Sequence, residues 1–499
     1  MMTDDETAIA TLKSGKPVLV WRSTIADTET PVSAALKLIE PGRGDFLLES
    51  VEGGAVRGRY SLIGLAPDLV FRAYGAAAEI NDRWLTDRKA FSPVAESTLP
   101  ALRSLVASCR IDVPQGLPGV LACLVGYFGY ETVGLVEDLP RPPANPLNLP
   151  DMMFVRPTLI LVFDRLADRL FMVAPVWPDG DPEKQVSAAL DRIEAASARL
   201  DQPLPPLTAT GITDLPDPSP VLAPGRYGEM VAAAKNYIAA GDIFQVVLAQ
   251  RFTLPFALPA FDLYRALRRI NPSPFLYHLD LPGFALTGSS PEILVRARDG
   301  EVTIRPIAGT RPRGKTTAED SENRASLLAD PKERAEHLML LDLGRNDVGR
   351  VATSGSVTVT DSYTVEYYSH VMHIVSNVVG QLAPGKDALD ALFAGFPAGT
   401  VSGAPKVRAC QVIAELEPET RGAYAGGVGY FSPDGSMDSC IVLRTAVVKD
   451  GVMHVQAGAG IVADSDPASE QRECEAKAGA LIAAAREAVS RSNEAGFGQ

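Results

Sequence analysis

Two pairs of glutamates are the residues in this sequence best suited to chemistry. Glu333 and Glu336 stand three apart in Pro331-Lys332-Glu333-Arg334-Ala335-Glu336, and Glu470 and Glu473 stand three apart near the C-terminus, with Lys477 one turn further on. Side chains three apart share one face of a helix. Asp330-Pro331 and Asp466-Pro467 both read as helix openings, a capping carboxylate followed by a proline suited to the first turn. Hard oxygen ligands presented in pairs suit Mg²⁺, which takes one or two carboxylates and completes its shell with water and substrate oxygens. The expectation is that two helices face each other across one Mg²⁺ that holds an anionic substrate.

Other residues add to this. Gly288-Ser289-Ser290-Pro291-Glu292 puts a carboxylate directly after a proline-fixed turn between two apolar strands. Beside apolar walls its pKa rises, and it can act as a general acid. Gly309-Thr310 and Gly458-Ala459-Gly460 follow strands, and such small residues let backbone N–H groups approach an anion. Gly399-Thr400-Val401-Ser402-Gly403-Ala404-Pro405-Lys406 precedes a helix and can offer N–H groups and the Thr400 hydroxyl to a carboxylate. It lacks the spacing of a P-loop. His370 and His373 lie three apart in a strand-like run and therefore point to opposite faces. Arg444 sits in an apolar strand, where a buried guanidinium needs a carboxylate partner from protein or ligand.

The elements that must position these residues follow from the patterning. The opening helix from Pro331 carries Ala335, Leu338 and Leu341 as its apolar face and runs into a charged loop near Asp347. Residues 17–175 read mostly as strands and turns, with helices at 31–39 and around 103–109, and a glycine-aromatic turn at Gly126–Glu131. A helix at 180–200 is followed by a Pro-, Thr- and Asp-rich stretch, 202–224, that reads as a linker. An amphipathic helix then carries Tyr227, Met230, Val231, Ala234, Tyr237 and Ile238. Strands and helices alternate from there to the last helix, 467–490, interrupted by a charged and mobile stretch, Thr316 to Arg324. The order implies an α/β protein of the α+β type, with large, mainly antiparallel sheets covered by helices. The expected division is an N-terminal lobe at 17–200, a linker at 201–223 and a second domain at 224–490.

The bulk properties exclude other classes. A length of 499 residues calls for two lobes or one large fold. A formal net charge of −14 argues against nucleic acid or an anionic membrane as partner. Five cysteines without C-x-x-C spacing fit reduced thiols in a cytoplasmic protein. Met1 to Lys16 lacks the charge and apolar core of a signal peptide, and no apolar run is long enough to span a bilayer.

Taken together, Gly288–Glu292, Pro306–Pro312, Glu336–Asp347, Pro397–Lys406 and Gly458–Val462 resemble, in order, the motifs of the chorismate-utilising enzymes. The chain is most similar to the anthranilate synthase component I branch, over both its N-terminal lobe and the region from Pro224 to Arg486. The resemblance implies a cytoplasmic, Mg²⁺-dependent lyase. It joins chorismate and ammonia, and releases anthranilate and pyruvate, at the first step of tryptophan biosynthesis. It further implies that Glu336 and Glu473 bind Mg²⁺ with Glu333 and Glu470 in support. Gly309, Thr310, Tyr424, Arg444, Gly458, Ala459, Gly460 and Lys477 would contact chorismate. Glu292 would protonate the departing 4-hydroxyl, Thr400 would sit near the ring, and His373 would serve the proton movements that end in pyruvate loss. Ser50, Pro272, Ser273 and Pro274 would bind L-tryptophan as feedback inhibitor. No Gly-x-Cys-x-Gly elbow is present, so ammonia would come from glutamine through a separate amidotransferase subunit, in a heterotetramer. Isochorismate and salicylate synthases resemble this chain but carry a lysine base where it has Gln245. One type of aminodeoxychorismate synthase carries a lysine nucleophile where it has Ala308.

Overall fold

Antiparallel strands dominate the architecture, and two long ones organise it. The computed structural model describes residues 3–52, 56–140, 144–205, 214–368 and 371–492. His370 and positions 206–213 of the expected linker lie outside these residues. Val56–Tyr74 and Met152–Asp164 pair with each other along most of their length. Ala66 adopts a positive φ and the register slips between Pro67 and Leu69, so the pair bends midway and its two ends enter different sheets.

One sheet continues from the first half of Val56–Tyr74. Its neighbours, in order, are Phe46–Glu52, Phe275–Leu281, Phe284–Ser290, Thr445–Lys449, Val452–Ile461 and Gln245–Pro255. The other continues from the first residues of Met152–Asp164. It runs through Leu124–Phe128, Gly427–Phe431, Met437–Ile441, Ile293–Arg298 and Glu301–Ile304 to Val371–Gln381. That last strand is flanked by Ile307–Pro312 and Thr358–Tyr367. Apolar side chains of both sheets interleave: Phe46, Tyr277, Leu279 and Leu286 from the first meet Tyr127, Val428 and Cys440 from the second. Strands of the expected N-terminal lobe are thus hydrogen-bonded directly to strands of the expected second domain.

Helices cover the outer faces. Pro467–Ser492 lays Leu481, Ala484, Ala485 and Ala488 on the first sheet beside Leu263 and Leu267 of Ala260–Ile270. Pro331–Gly349 packs Leu341 and Val348 against Val302 and Val378 of the second. The expected caps form: Asp330 accepts from the N–H groups of Lys332 and Glu333, and Asp466 from that of Ser469.

Several local expectations are corrected. Pro331–Gly349 stays helical through Asp347 and has no charged loop there. Its buried face is His337, Leu340, Leu341, Gly344 and Val348, whereas Ala335 is exposed and Leu338 is 57% exposed. His337 takes the inward place because its Nε2 finds the Ser376 hydroxyl at 2.6 Å. The stretch expected to be mobile is the helix Thr317–Ala329, capped by Thr316 on the N–H of Glu319. Gly126–Phe128 belongs to a strand, followed by a 3₁₀ turn from Tyr130. All five cysteines are free and buried. No helix among the described residues is long and apolar enough to cross a membrane.

Candidate active site

Two chain crossings between the sheets create the site. Phe284–Ser290 lies in the first sheet and Ile293–Arg298 in the second, so Pro291-Glu292 is the step between them. The chain steps back at Val442–Arg444, between Met437–Ile441 and Thr445–Lys449. The two steps are fastened together. The Ile441 N–H donates to the Glu292 carbonyl at 3.0 Å, and the Ser289 N–H donates to the Arg444 carbonyl at 3.1 Å. Arg444 is therefore not inside a strand, as expected, but at the crossing with φ +48°.

Both side chains line a cavity of about 610 Å³, which is also lined by Glu333 and Glu336 from one helix and Glu470, Glu473 and Lys477 from the other. The two glutamate pairs thus share one cavity. Gly309, Thr310, His373, Thr400, Tyr424, Gly458 and Gly460 line it as well. Ala459 does not: along the strand Val452–Ile461 alternate residues turn to opposite faces, and Ala459 is buried in the core. The Gly458 and Gly460 positions are closed to side chains. A Cβ there would come within 2.9 Å of the Tyr424 hydroxyl oxygen and 2.5 Å of Gln245 Nε2, respectively. These glycines, like Gly309, lie within strands rather than after them. Gly309 is a bulge with φ +70°, at the register slip between Ala308 and Thr310.

The acid is Glu292. Burial pushes its pKa up to about 8, against the Thr400 hydroxyl, which donates to Oε1 at 3.1 Å and favours the charged form. His373 Nδ1 lies 2.9 Å from the Gly309 carbonyl and 3.2 Å from the Thr310 hydroxyl oxygen. A bond to the carbonyl requires the proton on Nδ1, which leaves Nε2 as the basic nitrogen. Burial lowers the pKa of this imidazole, favouring the neutral form. Arg444 is half-buried, and desolvation lowers its pKa too. Its side-chain partner is the neutral Asn271 Oδ1 at 3.4 Å, not a carboxylate. Such a guanidinium is a ready receptor for a ligand carboxylate.

The remaining charges sort by partner. Glu333 accepts from Arg311 at 3.0 Å, and Arg311 also holds Asp330. Glu473 pairs with Lys477 at 2.7 Å, and Lys477 also donates to the Gly458 carbonyl. Glu336 is raised by burial and by the neighbouring charge of Glu333, while a hydrogen bond with Gln245 opposes the rise. Among the described residues no three His, Cys, Asp or Glu side chains are already gathered for an ion. The donor set nevertheless fits a hard divalent cation. Carboxylate oxygens from two helices line one cavity, and Glu336, whose pKa is raised by burial first and by Glu333 second, would gain from a cation beside it.

A second space of about 430 Å³ adjoins the first and shares Pro291, Thr310, His373, Arg444, Glu473 and Lys477 with it. Pro272 and Ser273 line this space. Ser50 lines a separate cavity of about 230 Å³ with Tyr60, Phe275, Arg296, Tyr430 and Asp438. The four residues expected around one inhibitor are thus divided, and Pro274 lines neither. Sequence reasoning missed Lys332, on the cavity wall, and Tyr368, whose ring meets His373 edge-on at 5.3 Å. Lys332 was legible one residue before the first glutamate. Nothing in the spacing marks Tyr368.

Comparison with known proteins gives the chain a family. A family model described as chorismate binding enzyme matches residues 47–483. Anthranilate synthase component 1 of Cereibacter sphaeroides is 50% identical over 100% of both chains. Its counterpart from Thermus thermophilus is 46% identical over 93% of this chain and 97% of its own. Among solved structures, anthranilate synthase component I from Streptococcus pneumoniae superposes with a TM-score of 0.75 at 34% identity, covering 92% of this chain and 98% of that one. The menaquinone-specific isochorismate synthase of Escherichia coli shares the fold, with a TM-score of 0.70 at 21% identity over 96% of this chain and 99% of its own. A match spanning most of the chain, together with relatives of this identity and coverage, settles the affiliation: the chain belongs to the chorismate binding enzymes, beside the anthranilate synthase component 1 proteins.

Proposed function

We propose that the protein converts chorismate and ammonia into anthranilate and pyruvate in a Mg²⁺-dependent reaction that begins tryptophan synthesis. The observation that carries this reading is the pair Gln245 and Ala308 on the cavity wall. Neither titrates and neither is a nucleophile, so those positions supply no base to activate water and no amine to attack the ring. An external nitrogen nucleophile is favoured. Ammonia from a glutamine amidotransferase subunit meets that need.

The chain's own groups divide the work. Arg444 binds a substrate carboxylate. Glu292, protonated at neutral pH, gives its proton to the leaving 4-hydroxyl, and Thr400 aims that carboxyl. His373 Nε2 accepts and returns the ring proton as pyruvate leaves. Glu336 and Glu473 would hold the metal, with Glu333 and Glu470 nearby, and the cation would supply positive charge against the substrate carboxylate and these acids. Thr310, Tyr424 and the backbone around Gly309, Gly458 and Gly460 fit the walls to the ligand, and Lys477 balances Glu473.

The test is turnover of chorismate with Mg²⁺ and an ammonium salt at mildly alkaline pH. Fluorescent anthranilate is expected. Isochorismate or a 4-amino product would overturn the reading. The 17–200 lobe is proposed as regulatory, with L-tryptophan bound in the cavity beside Ser50. Replacing Ser50 by a larger residue relaxes tryptophan inhibition and leaves the uninhibited rate unchanged; full inhibition in such a variant refutes that site.

A further inference from the structure

Glu292 forms part of a wall with space on both sides. Behind it lies a small cavity of about 30 Å³. That is room for about two water molecules, at roughly 10–15 Å³ each by this measure. Glu292, Thr400 and Leu340 line both this space and the substrate cavity. Asp347, Arg305 and Leu343 line the far side.

Asp347 is the unusual member. It is 3% exposed, and one of its oxygens accepts from Lys406 Nζ at 2.8 Å. Its other oxygen, Oδ1, is buried with no hydrogen-bond partner among the described residues. A buried carboxylate oxygen left without a donor is costly, and water in an adjoining polar space is the natural donor. Burial raises the Asp347 pKa against the pull of Lys406 and Arg350, so this carboxyl takes up a proton more readily than an exposed one. Arg305, on the same space, keeps part of its side chain in solvent, where it pairs with Glu366. One space is thus lined both by Glu292 and by charged groups that the substrate cavity does not touch.

An acid that gives up a proton in each turnover must regain it, and a ligand in the substrate cavity would stand in front of Glu292. We propose that Asp347 and water in this rear cavity form a proton relay that recharges Glu292 from behind. This rests on the reading of Glu292 as the proton donor. Glu292 gives its proton to the departing hydroxyl, which leaves as water. A water in the space then protonates the Glu292 carboxylate and takes a proton from Asp347, which regains one from solvent. The added nitrogen sheds one proton to solvent as it becomes a neutral amine, so protons balance over the turnover.

The relay separates the first turnover from later ones, because the first uses the proton already on Glu292. In Asp347→Asn, with ammonium as nitrogen source, the single-turnover rate stays within about twofold of the parent. The steady-state rate falls tenfold or more, and formate, as a small proton carrier, restores part of it. Leu343→Phe adds bulk to the space while keeping both Asp347 and Lys406, and the same split is expected. Equal loss in both regimes, or no loss in either, overturns the relay in each variant. Glu292→Gln distinguishes the two failures. If it turns over at the parent rate, the acid assignment is wrong. If it is inactive while neither other variant shows the split, only the relay is wrong.

Discussion

Thr400 and Glu292 are joined by one hydrogen bond, 3.1 Å from hydroxyl to Oε1, that ties the glycine-rich loop to the crossing between the sheets. The bond favours the ionised carboxyl and burial opposes it; burial prevails, and the pKa stands at about 8. A proton donor of this kind gives a kcat/KM profile that is flat near neutrality and falls tenfold per unit above about pH 8. Thr400→Val removes the one bond that favours the charge, so the alkaline limb moves to higher pH while the rate drops. A limb that stays in place or moves down refutes this role.

Glu292→Gln loses about 10²- to 10⁴-fold in kcat, the range of a general acid. It also changes stability with a definite sign. The folded-state pKa is raised from 4.5 to about 8, so the folded state keeps its proton where the unfolded chain has released it. The resulting stability is fully present below pH 4.5 and is lost as pH rises to 8, at about 1.4 kcal/mol per unit. Denaturant melts between pH 5 and 8 are therefore flatter for the variant. Identical slopes would show that Glu292 ionises freely.

Arg444→Gln weakens chorismate binding by about tenfold to a hundredfold, the worth of a hydrogen bond to a charged group. Because the ligand-free protein buries this guanidinium against a neutral amide, the variant unfolds no more easily than the parent. A raised KM with an unchanged melting temperature is the expected pair. A large fall in melting temperature would mean that the arginine is structural.

The two glutamate pairs were readable because helical periodicity and Asp-Pro openings are local signals. The helix Thr317–Ala329 was readable too, in the capping pattern of Thr316 and Glu319, but its dense charge suggested mobility. Leu338 and His337 misled because the choice between them depends on Ser376, a distant residue on another element. Gly309 and Arg444 owe their conformations to a bulge and to a step between sheets. Neither arises until the strands pair, and single-sequence patterns carry no trace of either. Likewise, the parting of Ser50 from Pro272 and Ser273 into different cavities is decided by register and not by composition.

Glu336→Gln removes one of the like charges around the cavity. The metal-free variant melts higher than the parent, and Mg²⁺ no longer raises its melting temperature. The parent gains about 2.7 kcal/mol at a hundred times the Kd of the ion. Equal stabilisation of both proteins by Mg²⁺ would remove Glu336 from the metal site.

Glu49 is 1% exposed at its side chain and receives Arg268 at 2.9 Å, Arg165 at 2.5 Å and the Tyr264 hydroxyl at 2.5 Å. Burial raises its pKa, but these partners outweigh burial and hold it below the ordinary value. Glu49→Gln leaves two arginines without their anion and costs about 3–5 kcal/mol. The parent loses this contribution as pH falls through the depressed pKa, so the gap between the two proteins narrows in acid. A gap that is constant with pH would contradict the assignment.

Phe275 stands opposite Ser50 on one side and Ser290 on the other, and Ser290 is followed by Pro291 and Glu292. At about 4.8 Å per strand, that rung carries the N-terminal segment to within roughly 10 Å of the strand that leads into Glu292. Laced in this way, the strand that carries Ser50 and the strand that leads into Glu292 are held to the two edges of a single shared neighbour.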